Sequence, residues 1–135
     1  MTMFVYNFQV QETHLDTFGH MNHATYLVIY EQARWEWITE GGFGLDRIHK
    51  EQMGPTILEA KVTYRRELKL RANIRVETEV ADWDGKVGKV KQRMLNEAGK
   101  VCSEAELTVG FFDMKERKLI NAPEAWQKAI EAQNA

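Results

Sequence analysis

Apolar residues alternate with polar ones at the start of the chain. Phe4, Tyr6, Phe8 and Val10 occupy every second position of residues 4–11. A period of two places these side chains on one face of an extended backbone. The pattern predicts a half-buried first strand.

A different spacing governs residues 23–40, HATYLVIYEQARWEWITE. Apolar residues recur every three or four positions in two rows, so most of the circumference of the predicted helix is apolar. The rows are Ala24, Leu27, Val28, Trp35 and Ile38, and Tyr26, Tyr30, Ala33 and Trp37. Gly41 and Gly42 are expected to end this helix. A helix of this kind needs other elements wrapped around it.

The rest of the chain is dominated by strand patterns. Four alternating segments occupy residues 56–68, 73–83, 86–95 and 101–112. Asp84-Gly85 predicts a hairpin between the second and third of them, and Pro123 marks the start of a short terminal helix. Together these elements predict an α+β fold, an antiparallel sheet curled around one long central helix.

Composition narrows the possible functions. The 135 residues, 44% apolar and 28% charged, suit a single domain spanning 1–135. A net charge of −2 gives no bulk attraction to nucleic acid or to an anionic membrane. No segment resembles a membrane span or a secretion signal, so we expect a cytoplasmic protein. The single cysteine, Cys102, is expected to be a packed thiol.

Residues 14–26, HLDTFGHMNHATY, concentrate polar groups between the first strand and the central helix. Asn22 is suited to cap the helix, which leaves first-turn N–H groups at His23 and Ala24 without helical partners. Such amides, at the positive end of the helix dipole, stabilise a developing oxyanion. Gly19 permits a tight turn that can bring the Asp16 carboxylate to the same place. A carboxylate beside an oxyanion site is what acyl transfer requires.

Two simpler interpretations compete with this one. Asp16 and Asn22 can serve only as turn and cap residues, a common use of both residue types. The histidines at positions 14, 20 and 23 also raise the question of a metal. Their spacing lacks the i, i+4 arrangement of helical zinc sites, so we expect no metal.

The same segment, followed by YEQARWEWI, resembles the hotdog-fold acyl-CoA thioesterases of the 4-hydroxybenzoyl-CoA thioesterase type. Their pattern is similar to D-x-D-x-x-G-H-x-N-N-x-x-Y followed by a helix carrying E-x-A-R. The matching residues here are Asp16, Gly19, His20, Asn22, Tyr26, Glu31, Ala33 and Arg34. The chain departs from the pattern at His14, which replaces the first Asp, and at His23, which replaces the second Asn.

The resemblance implies a hotdog fold and hydrolysis of an acyl thioester to the free acid and CoA. Asp16 would act on the carbonyl carbon by direct attack or by activating water, while the His23 amide holds the carbonyl oxygen. Gly19, His20 and Asn22 would complete the site. It also implies no cofactor apart from the CoA of the substrate, and active sites at the interface of a homodimer, which can pair into a tetramer.

Glu31 is an alternative catalytic carboxylate, because a related hotdog branch carries its carboxylate on the central helix. The simpler role for Glu31 is an i, i+3 ion pair with Arg34. Comparing the hydrolysis rates of Glu31→Gln and Asp16→Asn would separate these roles.

Basic residues are expected near the phosphates of CoA. Candidates are Arg65 and Arg66 at the end of one strand, and Lys86 and Lys89 after the predicted hairpin. The resemblance favours the segment after Trp83, and therefore the two lysines. Lys89 can instead pair with carboxylates across the sheet. Tyr26 and Tyr64 are among the aromatic residues that could line an acyl channel, although such residues usually just pack.

Two other functions remain open. A hotdog protein could bind an acyl thioester of CoA or of acyl carrier protein without rapid hydrolysis. A hotdog hydratase or dehydratase, which usually pairs a histidine with a carboxylate, is kept open by His20. A nucleic-acid module is not expected, because no basic stripe interleaves with aromatic residues.

Overall fold

The computed structural model describes residues 3–132, which form one antiparallel sheet and three helices. The elements in chain order are β1 (Phe4–Gln9), α1 (His23–Glu40), α2 (Leu45–Glu51), β2 (Met53–Tyr64), β3 (Asn73–Asp84), β4 (Val87–Leu95), β5 (Val101–Asp113), β6 (Lys118–Leu119) and α3 (Glu124–Ala129). No helix within these residues is long and apolar enough to span a membrane.

The strands lie in the order β1-β3-β4-β5-β2, and β6 extends one end of β5. Asp84 pairs with Val87, so β3 and β4 are joined by the two-residue turn Gly85-Lys86 that the Asp-Gly sequence predicts. Gly85 has a φ of 62°, a value that glycine adopts without steric cost. β2 forms one edge of the sheet, and its pairing with β5 is interrupted by an irregularity between Ile57 and Glu59.

The core lies between one side of α1 and the sheet. The helix buries Tyr26, Ile29, Tyr30, Ala33, Trp37 and Ile38. Facing strands contribute alternate residues of β3, β4 and β5, among them Val76, Val90 and Leu107. Cys102 is fully buried with a free thiol, as predicted, and burial raises its pKa. Helix and sheet thus bury each other's apolar faces, which confirms the predicted α+β arrangement.

The row of α1 formed by Tyr26, Tyr30, Ala33 and Trp37 is fully buried, whereas in the other row only Ile38 is buried. Leu27, Val28 and Trp35 from the other row are exposed by 42%, 54% and 37% in the single chain. A sheet of this width contacts one side of a helix, so the expected wrapping is incomplete within one chain.

Gly41 and Gly42 end α1, as predicted, but for different reasons. Gly42 has a φ of 93°, which side chains rarely adopt. Gly41 has a helical φ of −75°, so glycine is needed there for a different reason, which is that a side chain would not fit. A Cβ on Gly41 would lie 2.3 Å from the carbonyl oxygen of Ala129 in α3. The second glycine therefore turns the chain, and the first lets α3 pack against the end of α1.

The sequence patterns missed three features. α2 and β6 were not predicted, and β2 begins at Met53 rather than at Thr56. Gly54 and Pro55 resemble turn residues but lie inside the strand. Pro55 is tolerated because β2 is an edge strand, and Gly54 leaves room for Ile48 of α2.

Candidate active site

A short loop between β1 and α1 carries the candidate catalytic residues. It folds back on itself through an antiparallel bridge between Leu15 and Met21. The Asp16 N–H donates to the His20 carbonyl at 2.9 Å, and the Gly19 N–H donates to the Asp16 carbonyl at 3.1 Å. Gly19 has a φ of 84°, which confirms the tight turn predicted at this position. The loop holds Asp16 close to the start of α1.

The Asp16 carboxylate has one oxygen in use and one available. Oδ1 accepts hydrogen bonds from the N–H of Phe18 at 2.9 Å and of His20 at 3.4 Å. The other oxygen, Oδ2, accepts no hydrogen bond from residues 3–132. Asp16 is therefore a turn residue, and the same contacts fix its carboxylate in one orientation.

The first turn of α1 presents one free backbone donor. Asn22 caps the helix as predicted, because its Oδ1 accepts from the Ala24 N–H at 2.8 Å. The Thr25 N–H donates to the Asn22 carbonyl at 2.9 Å. The His23 N–H donates to no acceptor within the described part of the chain. Of the two amides named from the sequence, only that of His23 is left for a ligand.

A cleft of about 320 Å³ brings these groups together. Its lining consists of Asp16, His20, Met21, His23, Tyr26, Tyr64, Arg65, Arg66 and Glu67. Seven of these residues were candidates from the sequence, Tyr64 only as one of several aromatic residues that could line an acyl channel, whereas Met21 and Glu67 were not. Gly19 and Asn22 lie outside the lining, where they shape the loop and cap the helix.

Of the two histidines that line the cleft, His20 has a carboxylate partner. His20 Nε2 lies 3.1 Å from Glu67 Oε2, and the backbone of His20 forms a bridge with Lys69. The side chains of His20 and Glu67 are 32% and 63% exposed, so this pair is solvated and contributes little to stability. It nevertheless fixes the side of the cleft opposite the helix start.

Two tyrosines form the wall of the cleft beside the helix start. The rings of Tyr26 and Tyr64 meet edge to face at a centroid distance of 4.9 Å. Burial, with a smaller effect of neighbouring groups, raises the pKa of Tyr26 to about 12. Burial also raises the pKa of Tyr64. Both phenols are therefore protonated at neutral pH, and the Tyr64 hydroxyl donates to the His23 carbonyl at 2.8 Å.

The four basic candidates differ in position and pairing. Arg65 and Arg66 line the cleft, and Lys86 and Lys89 do not. Arg65 Nε pairs with Glu104 at 2.7 Å. Lys89 Nζ lies 2.7 Å from Thr108 Oγ1 and 3.7 Å from Glu106. Arg66 forms no ion pair with any described residue, so it is the cation at the cleft that remains available for a phosphate.

Glu31 lies apart from this cleft, on the exposed side of α1. It lines a second, mainly apolar cavity of about 250 Å³ with Arg34, Trp35 and residues of the β2 edge. Arg34 does not form the expected ion pair with Glu31 within 4.0 Å. Instead, its Nη1 donates to Gln92 Oε1 at 2.9 Å. Burial lowers the pKa of Arg34, and the charge of Glu31 partly opposes this effect.

Neither a metal centre nor a cavity over the sheet marks another site in the described chain. No His, Cys, Asp and Glu residues within 3–132 cluster in a way that could hold a metal ion. A cavity of about 490 Å³ lies over Lys61, Lys91, Arg93 and facing carboxylates on the sheet. Lys91 lies opposite Glu106, and the buried Glu77 pairs with Arg75 at 3.0 Å and with Arg93 at 2.6 Å, so these charges pair with one another within the sheet.

Comparison with known proteins identifies the family of this chain. Residues 10–130 match the model of the thioesterase-like superfamily. Long-chain acyl-CoA thioesterase FadM of Escherichia coli K12 is 26% identical over 113 residues, covering 83% of this chain and 85% of that protein. Acyl-CoA thioester hydrolase YbgC of Escherichia coli O6:H1 is 26% identical over 132 residues, covering 98% of this chain and 96% of that protein.

The fold is shared with a Staphylococcus aureus protein solved in complex with CoA. The two structures superpose with a TM-score of 0.91 at 22% identity, over 96% of this chain and 82% of that one. This chain belongs to the thioesterase-like superfamily. The resemblance inferred from residues 14–34 and the predicted hotdog fold are both confirmed.

Proposed function

We propose that this protein hydrolyses acyl-CoA thioesters in the cleft beside the start of α1. The observation that carries the proposal is that a fixed carboxylate, that of Asp16, and a free backbone donor, the His23 N–H, lie in the same cleft. The relatives with 26% identity are named as acyl-CoA thioesterases, which supports the same reaction.

In the proposed reaction, the thioester carbonyl oxygen accepts a hydrogen bond from His23 N–H at the positive end of α1. This contact stabilises the negative charge that develops as the carbonyl carbon is attacked. Asp16 either attacks that carbon directly or removes a proton from the attacking water. If Asp16 removes a proton from water, the hydroxide adds to the carbonyl carbon, the carbon–sulfur bond breaks, the acyl group leaves as the acid, and the proton held by Asp16 passes to the CoA thiolate. If Asp16 attacks directly, CoA leaves as the thiolate and a mixed anhydride of Asp16 and the acyl group remains. Water then hydrolyses this anhydride, which releases the acid and restores the Asp16 carboxylate. Accumulation of an acyl-enzyme in rapid-quench experiments would distinguish direct attack from water activation.

Replacing Asp16 with Asn tests the assignment of the carboxylate. The side-chain amide of the variant retains an oxygen that can accept from Phe18 and His20, so the loop is expected to fold normally. We expect kcat to fall by on the order of a thousandfold or more, because the base or nucleophile is lost. The measurement is free-thiol release with short, medium, long and aromatic acyl-CoAs, which also defines the acyl preference.

Glu31→Gln is the matched control for this variant. It changes a carboxylate of the other cavity in the same way and is expected to retain turnover. If Glu31→Gln abolishes hydrolysis while Asp16→Asn does not, the catalytic role belongs to Glu31. Stoichiometric acyl-CoA binding by the unmodified protein, without thiol release, would instead indicate a binding protein.

The active unit is further proposed to contain two copies of the chain. Leu27, Val28 and Trp35 of α1, and Ile57 and Leu58 of the edge strand β2, are all exposed in the single chain. Exposed apolar residues on adjacent elements mark an interaction surface. A second copy joined at β2 would cover them, as the hotdog resemblance implies, and would also close the cavity that contains Glu31.

A further inference from the structure

The first peptide of α1 is fixed at both of its polar atoms. The carbonyl of His23 accepts from the Tyr64 hydroxyl at 2.8 Å, and the N–H of Ala24 donates to Asn22 Oδ1 at 2.8 Å. The Asn22 contact is local, whereas Tyr64 is at the end of β2 and 41 residues away in the sequence. Tyr64 therefore connects the edge of the sheet to the start of the helix.

The position of the Tyr64 hydroxyl is well defined although its side chain is partly exposed. Its ring packs edge to face on Tyr26, which is itself only 4% exposed. Just beyond Tyr64, the N–H groups of Arg65 and Arg66 both donate to the Cys102 carbonyl, at 2.8 and 3.1 Å. These contacts hold both the ring and the end of the strand.

We propose that Tyr64 is a positioning residue for the oxyanion donor of the reaction. This inference rests on the proposed function, in which the His23 N–H polarises the thioester carbonyl. The first residues of a helix fray readily because their N–H groups lack helical partners. By holding the His23 carbonyl, Tyr64 keeps the donor N–H of the same residue directed into the cleft. Small displacements of such a donor reduce the rate strongly.

The substitution Tyr64→Phe removes only the hydroxyl and retains the ring contact with Tyr26. We expect kcat to fall on the order of tenfold with little change in KM, because the transition state loses more stabilisation than bound substrate. Tyr30→Phe is the matched control, since it removes a hydroxyl bonded to Ser103 Oγ at 2.9 Å in the core. The control is expected to lower the melting temperature and to leave kcat close to that of the unmodified protein.

Two further measurements separate positioning from general stability and from direct substrate contact. Sulfur accepts hydrogen bonds more weakly than oxygen, so replacing the carbonyl oxygen of the thioester with sulfur should slow the unmodified protein more than Tyr64→Phe. Amide hydrogen exchange at Ala24 and Thr25, whose N–H groups are hydrogen-bonded to Asn22, should be faster in Tyr64→Phe than in the unmodified protein, with no such change in Tyr30→Phe.

The possible failures have different meanings. An unmodified protein that hydrolyses no acyl-CoA overturns both the proposed function and the role of Tyr64. Normal hydrolysis with an unchanged kcat in Tyr64→Phe overturns only the role of Tyr64. A reduced kcat with unchanged amide exchange and unchanged discrimination against sulfur would assign the hydroxyl to direct substrate contact and overturn positioning.

Discussion

At the scale of single residues, the turn role of Asp16 is compatible with the catalytic role proposed for it. Its Oδ1 accepts from two backbone N–H groups of the loop, as a turn residue does. The same hydrogen bonds fix the side chain and use only one of its two oxygens, so the turn does not compete with the proposed role. A catalytic role of Asp16 therefore needs no additional element to orient the side chain.

Arg66 is the basic residue expected to contribute most to CoA binding. Because it lines the cleft without an ion pair to any described residue, Arg66→Ala should raise KM for acyl-CoA several-fold and leave kcat nearly unchanged. The salt dependence of KM should also weaken, since screening acts on the lost charge. Steady-state kinetics at low and high salt provide the measurement.

Lys89→Ala is the control for this prediction, because Lys89 is held by Thr108 and Glu106 on the sheet. A larger rise in KM for Lys89→Ala or Lys86→Ala than for Arg66→Ala would place the nucleotide beside the hairpin instead.

The sequence identified most of the residues of the cleft but not all of them. Asp16, His20 and His23 were found because they share one short segment with a recognisable pattern. Tyr64 ends β2 and Glu67 follows it, both more than forty residues beyond Asp16, and their own positions carry no motif. Only the tertiary fold brings them to the helix start. Choosing Arg66 over the other basic candidates likewise required knowing which cations are already paired.

At the scale of elements, prediction succeeded where local signals were strong. The bounds of α1 were given by its long helical spacing, the Asn22 cap and the two following glycines. The two-residue hairpin followed from Asp84-Gly85. The helix α2 was missed because it has only seven residues and buries only Ile48. It follows Gly44, which has no side chain to cap the helix. Its stability depends on packing against β2, which no local pattern reports.

Gly41 provides a test of how closely the elements pack. A methyl group there meets the backbone of Ala129, so Gly41→Ala should lower the free energy of unfolding by about 1–3 kcal/mol. Gly42→Asn is the control, because the space around Gly42 is open and Asn tolerates a positive φ. Chemical denaturation of both variants gives the comparison. Equal stability of Gly41→Ala and the unmodified protein would show that α3 shifts without cost.

At the scale of the whole molecule, one chain leaves a long apolar surface uncovered. Trp35 of α1 and Ile57 of β2 are both exposed and line one cavity, so the uncovered helix surface meets the sheet edge there. Sequence periodicity predicted that α1 is apolar almost all round, and a single sheet covers only half of that surface. The uncovered half therefore supports the proposal of a second copy.

Ile57→Lys tests this proposal, because Ile57 is exposed and lines the cavity that contains Trp35. A charge there should prevent the two copies from joining, because the lysine would be desolvated at the interface. We expect sedimentation equilibrium to show a dimer for the unmodified protein and a monomer with reduced hydrolysis for Ile57→Lys. Leu70→Lys places a lysine at another exposed apolar position, in the turn before β3, and should leave the dimer intact. A dimer in both variants would place the contact elsewhere.

Pro55 makes the two halves of the exposed β2 edge differ, because proline has no backbone N–H. The N–H and carbonyl of its partner Phe111 are engaged by Lys86 and Ile120, so the backbone nitrogen of Pro55 faces away from β5. At that position, a carbonyl oxygen of an added strand would find no backbone N–H to accept from. We therefore expect any strand that pairs with this edge to bind along the half of β2 that ends at Tyr64.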